Sequence, residues 1–340
     1  MNNGRSDSQG SGRPFSRRGL HVGAVLAGVT LLSSCSASAA PVASTPTTLP
    51  SSACSGQASP GNLDIDVASG GIERTVLLHL PTGYGDRDPA ALVLNLHGSG
   101  STAAAQEAFS GMNRVADADG FVVAYPQGSI PSGSGYDWNV PGQPLFGGGP
   151  APANAPNDVA FLGTTISTLE SHLCIDDARI YATGFSGGAR MVSQLGCDLS
   201  ATIAAIAPVS GLRLPSPCAG TRAVPVVSFH GTADPVDPYN GNGQAYWTYS
   251  VPDAEARWAT HDGCAASPDH SAPVAGAALT EYTGCRDGAI VALYTISGEG
   301  HEWPGGPALP AADTAVLGPQ SNVLNASATM WRFFTAHPLA

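Results

Sequence analysis

The chain reads as an α/β protein with a mostly parallel central sheet and helices on both faces. Three observations predict this. Short apolar runs suited to buried strands alternate with segments of helical period. Four of those runs end in polar, glycine-containing loops, as expected where ligands sit beyond the carboxyl ends of parallel strands. About 280 residues remain after the N-terminal region, enough for one sizeable core without a second domain.

Taken in order, residues 72–80 alternate as a strand, and residues 91–96 form a continuous apolar strand ending at His97-Gly98. Residues 103–118 follow a helical period, and residues 121–125 are again a strand. Residues 126–157 are dense in Gly, Pro, Ser and Asn and read as a long surface loop carrying Tyr136, Trp138 and Phe146. This loop is expected to form one wall of the ligand site at that rim. Helix follows over 159–172, with Asp158 as its expected cap. A strand is expected over 178–183, a helix over 187–197, and strands over 203–208 and 224–229. Residues 252–261 read as helix, 289–296 as the last strand and 321–337 as the closing helix. The glycosylation-type triplet Asn325-Ala-Ser327 falls inside that helix and reads as coincidence.

The N-terminus reads as an address. Arg5, Arg13, Arg17 and Arg18 precede an apolar run, residues 22–32, too short to remain as a membrane span. The run ends at Leu32-Ser-Ser-Cys35, which resembles a lipoprotein cleavage site with Cys35 lipidated; the alternative is simple cleavage after Ala39 or Ala40. Residues 1–34 are therefore expected to be a signal peptide, 35–60 a Ser/Ala/Thr/Pro tether and 61–340 the catalytic domain. The expected location is the cell surface or the exterior. Any membrane contact would be through the lipid anchor alone.

The 340 residues contain 14 basic residues, all Arg, against 26 acidic ones. Without residues 1–34 the balance is 10 Arg against 25 acids, a charge of −15. Such a surface repels nucleic acid and favours neutral substrates, and a monomer is expected. Apart from Cys35, six cysteines remain, an even number that reads as three disulfides in an exported chain. Counting permits 15 connectivities. Proximity in sequence suggests Cys197–Cys218 and Cys264–Cys285, leaving Cys54–Cys174. No Cys-x-x-Cys or close Cys/His set suggests a metal.

The chemistry lies in the loops after the strands. Gly184, Ser186 and Gly188 spell G-x-S-x-G, the sharp strand-to-helix turn that presents a serine hydroxyl. A serine needs a base, and a histidine needs a carboxylate to fix its tautomer. In this architecture the chain order is Ser, acid, His. Ser186, Asp234 and His301 meet that order, each just past an expected strand. Asp237 competes with Asp234, which lies nearer its strand end. His97 and His230 read as scaffold residues in His-Gly turns. The N–H of Gly187 and a donor from His97-Gly98-Ser99-Gly100 would form an oxyanion hole. Trp303 could stack on a substrate ring or pack beneath His301, and Trp138 is a candidate for the acyl pocket.

Together, His97-Gly-Ser-Gly100, Tyr125-Pro-Gln-Gly128, Asn157-Asp-Val-Ala-Phe161, residues 179–191, His230-Gly-Thr-Ala-Asp-Pro-Val236 and Gly300-His-Glu-Trp-Pro-Gly305 resemble the polyhydroxybutyrate depolymerase and feruloyl esterase family, its actinobacterial lipoprotein branch above all. The resemblance implies an α/β-hydrolase fold without a cofactor or metal, the triad Ser186, Asp234, His301, and an oxyanion hole from the Ser99 and Gly187 amides. It implies an ester hydrolase acting on polyhydroxybutyrate-type polyesters or short hydroxyacid esters, or on feruloyl and acetyl esters of plant polysaccharide. Ser99 stands where members often carry Cys. A peptidase on the same fold would be expected to carry an added gating domain, and a purely binding lipoprotein would not need an intact triad.

Overall fold

Alternation along the central strands sorts side chains onto two apolar layers. Leu92, Leu94 and Leu96 point to one face of the strand Ala90–Leu96, and Ala91 and Val93 to the other. Each face must therefore be covered by helices, since an exposed leucine forfeits about 1.5–3 kcal/mol of burial. The computed structural model describes residues 58–85 and 89–340, which belong to one compact unit. The leader, Cys35, Cys54 and most of the tether lie outside the described residues.

The elements in chain order are β1 (Gly61–Ser69), β2 (Ile72–Leu80), β3 (Ala90–Leu96), α1 (Ala103–Ser110), α2 (Met112–Asp119), β4 (Val122–Pro126), β5 (Ile130–Ser132), β6 (Gly135–Asp137), α3 (Asp158–His172), β7 (Ile175–Phe185), α4 (Gly187–Asp198), β8 (Ala205–Val209), β9 (Val226–Gly231), α5 (Val251–His261), β10 (Asp269–Val274), β11 (Ala277–Tyr282), β12 (Val291–Ile296), α6 (Ala311–Leu317) and α7 (Ala326–Thr335). The main sheet has the order β1-β2-β4-β3-β7-β8-β9-β12-β11-β10. From β4 to β12 all neighbours are parallel, while β1–β2 and β10–β11 add antiparallel edges.

Helices α3, α4 and α5 cover one face through Phe161, Leu169, Met191, Leu195 and Trp258. Helices α1, α2 and α7 cover the other, where Trp331 stacks on Phe121 and Phe334 stacks on Tyr181. The disulfides Cys197–Cys218 and Cys264–Cys285 are formed. The third expected pair includes Cys54, outside the described residues. Among the described residues no helix is long and apolar enough to cross a membrane.

Several expectations need correction. The helix expected over 103–118 is two, α1 and α2, because Gly111 takes a left-handed φ of 57° and ends the first. The closing helix begins only at Ala326, with Asn325 as its N-cap accepting from the Ala328 N–H at 2.8 Å. Asn325 of the glycosylation-type triplet thus caps the helix instead of lying within it. The cap of α3 is Asn157, not Asp158: its side chain accepts from the Ala160 N–H at 3.0 Å. Asp158 is instead a fully buried ion-pair partner of Arg74. Strands β1, β10 and β11, the β5–β6 hairpin and α6 were not anticipated.

Candidate active site

Ser186 sits where β7 hands the chain to α4, with φ 53° and ψ −116°. A non-glycine residue held at positive φ stores about 1–3 kcal/mol of strain, tolerated where the surrounding packing dictates it. That packing is visible. A Cβ at Gly188 would lie 2.4 Å from the Leu96 carbonyl oxygen, and one at Gly184 would lie 2.9 Å from the same atom. Only glycines let the turn lie this close to the end of β3. The Ser186 N–H donates to the Val209 carbonyl at 2.9 Å, tying the turn to β8 as well.

His301 follows β12 and Asp234 follows β9. The His301 Nδ1–H donates to Asp234 Oδ2 at 2.8 Å, both side chains being buried. Asp234 Oδ1 accepts the Val236 and Asp237 N–H groups, each at 2.8 Å. Burial alone would raise the Asp234 carboxyl. The His301 charge and the hydrogen bonds from His230 and His301 outweigh it and hold the group far below the ordinary carboxylate range. Burial likewise pushes His301 down, but the charge and hydrogen bond of Asp234 win and raise its pKa above the ordinary 6.5. With Nδ1 committed to Asp234, Nε2 is left as the basic nitrogen. Ser186 and His301 line one cavity, and the Phe185 ring lies 4.7 Å from the imidazole centroid.

His301 therefore touches Asp234, not Asp237. The Asp237 backbone does the bracing: its N–H serves Asp234, and its carbonyl accepts from His230 Nε2 at 2.8 Å. His97 is scaffold too. Its Nδ1–H donates to the Gly98 carbonyl at 2.8 Å, and Nε2 accepts from the Gly128 N–H at 2.9 Å and from the Gln127 amide at 3.0 Å. That pattern requires a neutral ring, and burial, aided by the Arg74 charge, lowers its pKa to about 4.

Ser99 and Gly187 face each other across the turn. A Cβ at Gly187 would lie 2.3 Å from Ser99 Oγ and 3.1 Å from Ser99 N, so the Ser99 amide closely approaches the start of α4. The loop bearing Ser99 is clamped from the far side. The Gly100 N–H donates to Asp137 Oδ1 at 2.9 Å and to the Tyr136 carbonyl at 3.0 Å. Trp138 Nε1–H donates to the His97 carbonyl at 2.8 Å, and its ring packs on His97.

Both tryptophans lie under the site instead of in it. Trp138 is consumed in holding the His97–Gly100 loop. Trp303 is fully buried, with its Nε1–H on Ser327 Oγ at 3.0 Å and its ring at 68° to that of Phe109. Neither lines the cavity of about 640 Å³ beside Ser186. Its apolar walls come from α1 through Ala105 and Phe109, from Phe185, and from Leu309, Val316 and Leu317 of the segment containing α6. Of the long loop 126–157 only Phe146 reaches it. The apolar cluster Pro307-Ala-Leu309, so soon after His301, was the available sequence signal for that wall.

No protein-family model matches the chain. It is similar to feruloyl esterase B of Piromyces equi, 32% identical over 243 residues, which cover 67% of this chain and 42% of that protein. The chain thus spans less than half that relative's length. NocK of Nocardia uniformis subsp. tsuyamanensis, named as an esterase, is 31% identical over 288 residues, 74% of this chain and 80% of its own. Poly(3-hydroxyalkanoate) depolymerase C of Paucimonas lemoignei is 26% identical over 267 residues, covering 71% and 61%. The solved acetyl xylan esterase from Aspergillus awamori shares the fold at a TM-score of 0.51 with 18% identity, over 75% of this chain and 98% of that one. With the α/β-hydrolase frame in place and close to a third of positions shared along most of NocK, the chain belongs to the polyhydroxybutyrate depolymerase and feruloyl esterase family of α/β-hydrolases.

Proposed function

We propose that the chain is an exported serine carboxylic-ester hydrolase that works through an acyl-enzyme, with Ser186 as nucleophile, His301 as base and Asp234 as the carboxylate that orients it. The observation that carries this reading is the buried His301–Asp234 pair opening onto the same cavity as a strained Ser186. Ser186 Oγ adds to the ester carbonyl carbon while His301 Nε2 takes its proton. The Ser99 and Gly187 N–H groups hold the oxyanion. Collapse of the adduct breaks the carbonyl–alkoxide bond, and the proton on Nε2 passes to the leaving alcohol. Water then repeats the sequence on the acyl-enzyme, freeing the acid and Ser186.

The substrate class is a neutral ester with an apolar body, which suits the apolar walls and the acidic surface. Short hydroxyacid esters of the polyhydroxybutyrate type are the first reading. Feruloyl or acetyl esters on plant polysaccharide are the second, favoured by the rings of Phe109, Phe146 and Phe185 around the cavity. Export is supported by the leader and by the two disulfides. Cys35 is proposed as the lipidated residue, and Cys35→Ala should release the protein from membranes.

Hydrolysis of p-nitrophenyl acetate and butyrate, methyl ferulate and polyhydroxybutyrate by the wild type and by Ser186→Ala tests the reading. Turnover of at least one ester, abolished in the variant, is expected. Equal activity or equal inertness of the two proteins would overturn it, and preference for a peptide over every ester would make the chain a peptidase.

A further inference from the structure

Arg190 is a buried cation with too few partners. It lies in the first turn of α4, its N–H on the Ser186 carbonyl at 3.1 Å, and it is only 5% exposed. One nitrogen, Nη2, points to Ser99 Oγ at 3.5 Å. Nε and Nη1 are buried and have no acceptor among the described residues. The Tyr246 ring lies 5.3 Å from the guanidinium carbon. Among the described residues no carboxylate comes within ion-pair distance of Arg190.

The nearby carboxylates act on Arg190 only from beyond ion-pair distance. Asp237 attracts Arg190, yet its own Oδ2 is buried without a hydrogen-bond partner. A second buried guanidinium, Arg213, is repelled by Arg190 and sees the same Asp237. Among the described residues neither guanidinium forms an ion pair, and Arg190 stands next to the loop whose amide faces Gly187. Buried charges are ordinarily matched, because desolvation is otherwise uncompensated. A buried guanidinium without a direct ion pair suits a site where negative charge develops during reaction.

We propose that Arg190 is a positioning residue for the oxyanion: it holds Ser99 Oγ, and through it the Ser99 N–H, against Gly187, while its unneutralised charge favours the tetrahedral oxyanion over the neutral ester. The proposal rests on the serine-esterase reading of Ser186. Arg190 does not line the cavity, so it acts through Ser99 and through space instead of by gripping a substrate group. The low dielectric of the interior makes that charge count for more than it would in water.

The role predicts a pattern that a purely structural arginine would not produce. With p-nitrophenyl butyrate, Arg190→Gln should lower kcat about ten- to a hundredfold, below the loss typical of a direct oxyanion donor, with KM within about twofold. His301 is faced by Asp234, Asp237, Glu302 and Arg190, and only Arg190 opposes its protonation electrostatically. Removing that charge should move the acid limb of kcat/KM to higher pH, and Arg190→Lys should bring it back. Ser99→Ala keeps the backbone N–H but cuts the link, so it should also lower kcat at constant KM. The double variant should then be little worse than Arg190→Gln, which already removes both the link and the charge.

A wild-type kcat in Arg190→Gln, a loss carried by KM, an unmoved acid limb, or multiplicative effects with Ser99→Ala would each overturn the proposal. If Arg190→Gln lacks a native near-ultraviolet circular dichroism spectrum, Ser99→Ala and Arg190→Lys decide, and wild-type kcat in Ser99→Ala refutes it. Failure of the esterase reading looks different: wild type and Ser186→Ala would then be indistinguishable on every ester.

Discussion

Adding one methyl group at Gly188 perturbs the Ser186 turn where it has no freedom to yield. The new Cβ would stand 2.4 Å from the Leu96 carbonyl oxygen and 2.5 Å from that of His97, both backbone atoms in the central sheet or its immediate extension. Reaching even 3.0 Å requires a shift of about 0.6 Å, and a relaxed contact near 3.5 Å requires about 1 Å. Either helix α4 lifts from the end of β3, or β3 bends within a sheet paired on both sides. Overpacking of this kind costs about 1–3 kcal/mol, and a clash against backbone belongs at the upper end. For a domain of this size the upper end corresponds to a fall in Tm of about 5 °C. The same shift carries the Gly187 N–H away from Ser99, and a misplacement near 1 Å costs about a hundredfold in rate. Gly163→Ala is the control. Its Cβ, within α3, would meet only the two Leu199 methyl carbons at an ordinary 3.9 and 4.0 Å, so it should raise stability by about 0.5–1 kcal/mol through helix propensity. Thermal unfolding by circular dichroism and kcat on p-nitrophenyl butyrate measure both variants. If Gly188→Ala kept wild-type Tm and kcat, or moved Tm in the same direction as Gly163→Ala, the close-approach argument would be wrong.

Asp234→Asn should lower kcat by about 10³–10⁴-fold, because an amide can leave His301 in the wrong tautomer. The acid limb of its pH profile should move below the wild-type limb, since burial then acts on His301 without the Asp234 charge; an unmoved limb would contradict the assignment. Asp158→Ala leaves Arg74 buried without its carboxylate and should destabilise by about 3–5 kcal/mol in denaturant titration. A change under about 1 kcal/mol would mean that Gln127 alone satisfies Arg74. Glu255 on α5 is buried and held up to about 8 by desolvation, with Oε1 unpartnered. Its folded pKa lies above its unfolded one, so its contribution to stability is full below about 4.5 and is lost as pH rises through about 8. Glu255→Gln should match wild-type Tm near pH 4 and exceed it progressively up to pH 9; parallel curves would refute the burial effect.

Much of the frame was legible because its signals are local. A run such as Ala91–Leu96 can satisfy its side chains only as a strand buried on both faces, and the glycines around Ser186 announce a turn without room for side chains. The order Ser186, Asp234, His301 follows from the loops after three such strands. The misreadings arose where distant segments compete for one position. Asp158 looks like a cap until Arg74, 84 residues away, claims it. Trp138 looks like a substrate contact until the His97 carbonyl takes its N–H. Residues 103–118 read as one helix because a period of 3.6 carries no record of the left-handed turn at Gly111.

By itself, then, the sequence determined the layered α/β frame, the two short-range disulfides and the residues able to form a hydrolytic triad. These depend on periodicity, spacing and chain order. Only the tertiary structure decided which of Asp234 and Asp237 meets His301, that residues 127–138 clamp the His97–Gly100 loop, and that α1 and α6 wall the cavity. It also brought Arg190 to Ser99 with no ion-pair partner among the described residues. Those are contacts between segments far apart in the chain, and distance in space, unlike periodicity, is not written into any local stretch of sequence.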